Sequence, residues 1–122
     1  MLTKTGTTFA FQDFLIDATP EILWFWCDSD DDYQGQVYAL GYWKNNIVWF
    51  SGYYGSCSGC GAWGEGGEPT NLDEVLADSA VFRSTTLATQ FIRKANEYFF
   101  NRAVEKGAFK SLDEHIRQTN KS

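Results

Sequence analysis

Two thiols, Cys57 and Cys60, sit three positions apart in the uncharged stretch Gly55-Ser56-Cys57-Ser58-Gly59-Cys60-Gly61. That spacing can serve three chemistries. Disulfide exchange needs a helix N-terminus to stabilise the first thiolate, but Gly61-Ala62-Trp63-Gly64-Glu65-Gly66-Gly67 follows and forms no helix. A zinc knuckle uses a Cys-x-x-Cys-Gly turn to hold two thiolates and needs two further ligands; Cys27 and His115 are the remaining conventional donors, for a Cys3His site. The third reading is structural: small reduced thiols in a tight loop, packed against the aromatic side chains of a neighbouring hairpin.

A second cluster is acidic. Asp28, Asp30, Asp31 and Asp32 crowd into five positions, where mutual repulsion favours a solvated turn. Asp30, Asp32, Gln34 and Gly35 fit positions one, three, five and six of a calcium loop, but Gly41 stands where the bidentate Glu of position twelve belongs. Hydrolytic catalysis has little to build on, with one His in the chain and carboxylates gathered in a loop instead of paired across a cleft. Nothing in the sequence supports an enzyme.

The elements that must position these groups follow from pattern. Phe9, Phe11, Phe14, Leu15 and Ile16 suggest a helix of about two turns that Pro20 cannot extend, with a strand as the alternative. Ile22 to Cys27 is an apolar run of strand character. From Gly35 to Tyr54 the chain reads as a hairpin turning at Asn45-Asn46, with Lys44 opposite Ile47, Tyr42 opposite Trp49, Leu40 opposite Ser51 and Tyr38 opposite Tyr53. One face then carries Tyr38, Tyr42, Trp49 and Tyr53; the other carries Val37, Trp43, Val48, Phe50 and Tyr54. A single layer of helices covers one face only, so the tyrosine face is expected outside, as a recognition surface or under a second packing layer from the N-terminal segment or a homodimer partner.

Residues 61 to 69 are expected to form a glycine-rich loop, and Thr70 or Asn71 to cap a short helix, with Glu74 placed to complete a capping box with Asn71. Ala80 to Arg83 reads as a short strand. Ser84-Thr85-Thr86 then caps a long helix whose apolar positions run through Ala88, Phe91, Ile92, Ala95, Phe99 and Ala103 to a stop at Gly107. A last short helix opens at Ser111. The expected fold class is α+β: a single domain with a mainly antiparallel three- or four-stranded sheet centred on the hairpin and helices packed on one face. It divides into an N-terminal segment (1–21), the sheet (22–54), the Cys/Gly-rich loop (55–70) and a mainly helical part (71–122).

Composition bounds the function. The 122 residues suit one domain, and 17% aromatic content favours a packed core over disorder. No run of eighteen apolar residues and no signal-peptide layout occurs, and an odd cysteine count fits a reducing compartment, so the expectation is cytoplasmic with no membrane association. The net charge of −6 is uneven: residues 13–78 hold twelve acids against Lys44, for −11, whereas residues 79–122 hold eight bases and four acids, for +4. An acidic protein repels a phosphate backbone, so nucleic-acid binding is disfavoured and a basic protein surface is the natural partner.

Asp32-Tyr33-Gln34-Gly35, the aromatic strand after it, and Tyr54-Gly55-Ser56-Cys57-Ser58-Gly59-Cys60 resemble a group of small uncharacterised phage and bacterial proteins with a D-Y-Q-G segment, a hairpin, a G-S-C-S-G-C loop and a helical second half. The likeness spans roughly residues 28 to 100. In that group an acidic residue opening a helix tends to follow the second Cys, whereas Gly61 follows here. The resemblance implies a phage accessory protein that binds and blocks a host defence protein, acting in the host cytoplasm.

These readings converge on a non-enzymatic, acidic protein-binding module. Its contact residues are expected to be Asp28, Asp30, Asp31, Asp32, Tyr38, Tyr42, Trp49 and Tyr53, with no cofactor. The alternative is a small zinc-binding or thiol-redox protein using Cys57, Cys60, Cys27 and His115.

Overall fold

The computed structural model of the protein describes residues 11–29, 35–54 and 71–120. In chain order the elements are α1 (Phe11–Ala18), β1 (Leu23–Ser29), β2 (Gly35–Trp43), β3 (Asn46–Tyr54), α2 (Leu72–Ala77), β4 (Ser79–Phe82), α3 (Thr85–Ala95), α4 (Glu97–Glu105) and α5 (Ala108–Asn120). The four strands form one antiparallel sheet in sequential order, β1-β2-β3-β4. The fold is α+β, as its patterns predict.

The hairpin turns one residue earlier than expected. Lys44 and Asn45 both adopt positive φ (46° and 67°), the signature of a two-residue type I′ turn. Trp43 therefore pairs with Asn46, Tyr42 with Ile47, Leu40 with Trp49 and Tyr38 with Ser51. Every pairing expected from an Asn45-Asn46 turn is displaced by two residues. Because strand side chains alternate with period two, this displacement preserves the two faces, and the burial pattern in the sequence could not distinguish the registers.

Both faces of the sheet are covered. Tyr38, Leu40, Ile47 and Trp49 pack with Trp26 against Ala88 and Ile92 of α3, Phe99 and Ala103 of α4, and Phe109 and Leu112 of α5. Val37, Ala39 and Phe50 pack with Trp24 against Leu15 of α1 and Val75 of α2. The tyrosine face is thus the interior of the larger core: Tyr38 is 4% exposed and Trp49 8%. The expectation that it faces solvent is corrected. The reason is that the C-terminal half supplies three helices to that face, while the two short helices close the other.

A β-bulge feeds both cores from β1. Trp24 pairs with Gly41 and Trp26 with Leu40, so Phe25 is the inserted residue. Without the insertion Trp24 and Trp26 would share a face; with it, each enters a different core. Gly41 is required where Trp24 crosses it, since a Cβ there would lie 2.7 Å from Ile22 Cγ2 and 2.8 Å from Trp24 Cε3. The Trp24 indole is held in turn by Thr19, a fully buried residue whose hydroxyl accepts from Trp24 Nε1 at 3.1 Å and donates to the Leu15 carbonyl.

The long helix expected after Ser84 is two helices. Asn96 leaves helical geometry (φ −156°, ψ 91°), and its side chain accepts from the Phe99 backbone N–H at 3.2 Å to cap α4. The break turns the chain so that α3 and α4 each bury their own apolar stripe. Gly107, at φ +74°, closes the turn after α4, and α5 begins at Ala108, not Ser111, making it the longest helix at 13 residues. The caps of α2 and α3 are as the sequence predicts: Asn71 accepts from Glu74 N–H at 3.0 Å and Ser84 from Leu87 N–H at 3.2 Å.

Candidate interaction surface

The polar groups that converge in the fold do so where β1 ends beneath α4. Asp28 pairs with Tyr38 across β1 and β2 and lies on the side that α4 covers. Arg102, on α4, forks onto its carboxylate: Nε donates to Oδ2 and Nη2 to Oδ1 at 3.3 Å. Its Nη1 donates to the Tyr98 hydroxyl at 3.2 Å, and its guanidinium lies 5.6 Å from the Tyr98 ring centroid. Tyr98 and Arg102 are four apart on one helix and therefore neighbours on its surface. The Tyr98 hydroxyl and the Asp28 carboxylate hold the guanidinium pKa above its ordinary value. A bidentate, planar fork fixes orientation as well as charge.

Tyr98 ends a ladder of rings that crosses the sheet. Its ring meets Phe99 edge-on at 5.3 Å; Phe99 lies 3.8 Å from Tyr38; Tyr38 stacks on Trp49 at 5.7 Å; Trp49 meets Phe91 at 5.8 Å; and Phe91 reaches Phe82 on β4 at 5.3 Å. All of these separations but the closer Phe99–Tyr38 one fall in the range where aromatic pairs add to burial. The interior of the ladder is buried, but Tyr98 is 61% and Phe91 46% exposed. Among the described side chains, the rings that stand in solvent are thus on the helices and not on the hairpin. Leu87, Val81 and Val104 are the other large apolar side chains that stand in solvent among the described residues.

The sequence-predicted residues divide accordingly. Asp28 sits in the fork, Tyr38 and Trp49 are core, and Tyr42 is half-buried with its ring edge-on to His115 at 5.2 Å. Asp30, Asp31, Asp32, Cys57 and Cys60 lie outside the described residues, and for Tyr53 only its backbone pairing with Gln36 is described.

Cys27 and His115 are not brought together. Cys27 packs against the core of Leu15, Trp24 and Val75 on the α1 and α2 side, while His115 lies against Phe25 and Tyr42 on the α5 side. The expected convergence of these two residues on one metal is corrected, because the sheet separates them. Cys27 is half-buried, and burial of its sulfur followed by the charge of Asp28 pushes its thiol pKa well up. Such a thiol is a poor nucleophile and metal ligand. Among the described residues no three His, Cys, Asp or Glu side chains gather as a metal site requires.

Sequence reasoning missed Tyr98, Arg102 and Asn96. The signals were present: an i, i+4 Tyr-Arg pair, and an Asn, a weak helix former and strong cap, in the middle of a helical pattern. No helix among the described residues is long and apolar enough to cross a membrane. In comparison with known proteins, no family model matches the chain, and neither a curated relative nor a similar solved structure is found.

Proposed function

We propose that this chain is a non-enzymatic protein-binding module whose contact surface centres on Tyr98 and extends over the acidic run that begins at Asp28. The observation that carries the reading is an aromatic ring 61% exposed yet tethered at its hydroxyl by Arg102, which is itself pinned to Asp28. An exposed ring with little freedom left to lose makes a good anchor, since ordering it on binding costs little entropy. Asp30, Asp31 and Asp32 follow Asp28 after a single serine in the chain and supply negative charge that speeds encounter with a basic surface. The likeness of the D-Y-Q-G and G-S-C-S-G-C segments to small phage proteins adds the finer reading, an inhibitor of a host defence protein in the host cytoplasm.

The test is affinity capture from bacterial lysate with three baits: the unaltered chain, Tyr98→Ala, and Asp30→Asn/Asp31→Asn/Asp32→Asn. A protein retained by the first bait and lost from both others supports the reading. An identical set of captured proteins for all three overturns it.

A further inference from the structure

The outer edge of β4 gives a second surface. Among the described residues no strand pairs with that edge, and its sequence, Ser79-Ala80-Val81-Phe82, carries none of the charges or prolines that usually protect an edge. Val81 is 50% exposed on the α1/α2 side, where it pairs with Val48. On the other side Leu87 and Phe91, 52% and 46% exposed, stand one turn apart on α3. Phe91 lies against Phe82 of β4, whereas Arg93, on another flank of α3, lies over Phe100, which packs on Phe109 of α5. Leu87 and Phe91 therefore flank the helix on the β4 side, away from α5. Exposed apolar groups border this edge on both faces.

We infer that this edge is a two-fold dimer interface in which β4 pairs antiparallel with β4 of a second copy, making one eight-stranded sheet. The occupant is identified by charge. β4 is bracketed by Asp78 before it and Arg83 after it. Antiparallel pairing sets each end of the strand against the opposite end of its copy, whereas parallel pairing sets like charges together. Paired residues must share a face, so the two-fold axis passes beside Ala80 or beside Val81. In either register Asp78 of each copy lies one position from Arg83 of the other, so the acidic end of each strand lies beside the basic end of its copy and the two ends attract. The same axis keeps corresponding faces on the same side, so α3 meets α3 through Leu87 and Phe91, and Val81 approaches its own copy.

Sedimentation equilibrium of the full chain over a wide concentration range tests this. The unaltered chain is expected to be a reversible dimer. Val81→Lys and Leu87→Glu each weaken it, and Asp78→Arg or Arg83→Asp alone raises the dissociation constant about tenfold, because each substitution acts twice across a two-fold interface. The double variant Asp78→Arg/Arg83→Asp restores opposite charges at each end of the seam and the dimer. That rescue separates a lost interface from a lost fold, which circular dichroism of each variant checks independently. A chain that stays monomeric at every concentration overturns the inference. So does a dimer indifferent to Val81→Lys and Leu87→Glu, or a double variant no tighter than the singles.

Discussion

Asn96 Nδ2 donates a hydrogen bond to the Tyr38 hydroxyl at 3.0 Å, joining residues 58 positions apart. The Oδ1 of the same side chain caps α4. Asn96 thus ends one helix through its backbone N–H, which donates to the Ile92 carbonyl, while its side-chain amide starts the next helix and satisfies a phenol buried under both. This is why the aromatic ladder can run beneath a break in the helical layer without leaving polar groups unpaired at that point.

Replacing Asn96 separates the two roles. Asn96→Ala is expected to lose about 2 kcal/mol, roughly 1 for the cap and about 1 for the hydrogen bond to Tyr38. Asn96→Asp keeps the capping oxygen and loses the donor, so it should fall between the parent and Asn96→Ala. Urea unfolding of the three chains gives the order directly.

Gly41→Ala places a methyl group where Ile22 and Trp24 already stand. Both contacts are below 3.0 Å and come from groups in the core behind the β-bulge. The expected cost is about 1–3 kcal/mol, the range for overpacking a filled site. A midpoint shift with an unchanged denaturant slope is the expected record.

The buried indoles differ in their partners, and this gives a comparison. Thr19→Val keeps the shape of the side chain and removes the acceptor of Trp24 Nε1, for an expected cost of about 1–3 kcal/mol. Thr19→Ser should restore most of it. Trp49 Nε1 is buried with no hydrogen-bond partner among the described residues, so Trp49→Phe loses ring area but also removes an unsatisfied donor. It should destabilise by less than the roughly 3–5 kcal/mol that truncating a buried Trp to Ala costs.

Cys27 ties stability to alkaline pH. Its folded thiol pKa is raised by burial first and by Asp28 second, so the folded chain holds the proton that the unfolded chain releases near the ordinary thiol value of about 8.5. The contribution is complete below that value and declines as pH rises above it toward the folded pKa. Cys27→Ala should therefore show a flatter loss of stability than the parent between about pH 8 and 10. Under native conditions Cys27→Ala should also remove no fast-reacting thiol from a titration with a disulfide reagent, because the Cys27 thiol is not ionised there.

Much of the fold is legible in the chain. The capping side chains Asn71 and Ser84 act where the pattern puts them, and the two alternating faces of β2 and β3 are those read from their aromatic and aliphatic positions. These are local properties, set by backbone geometry within a few residues. The candidate surface was legible only in part. Asp28 stood out as a charge, but its partner Arg102 lies 74 positions away, and no local rule joins them.

The amino-acid sequence by itself determined the α+β class, the hairpin and the opposite charges of the two halves, because propensity, periodicity and composition act without distant neighbours. Only the tertiary structure decided which rings face out. Tyr38 and Trp49 disappear under α4 and α3 while Tyr98 and Phe91 remain in solvent, since exposure depends on how many helices the chain can lay on each side of one sheet. The same packing put Cys27 and His115 on opposite faces. A sheet one residue thick is enough to keep two groups apart that the sequence alone allowed to meet.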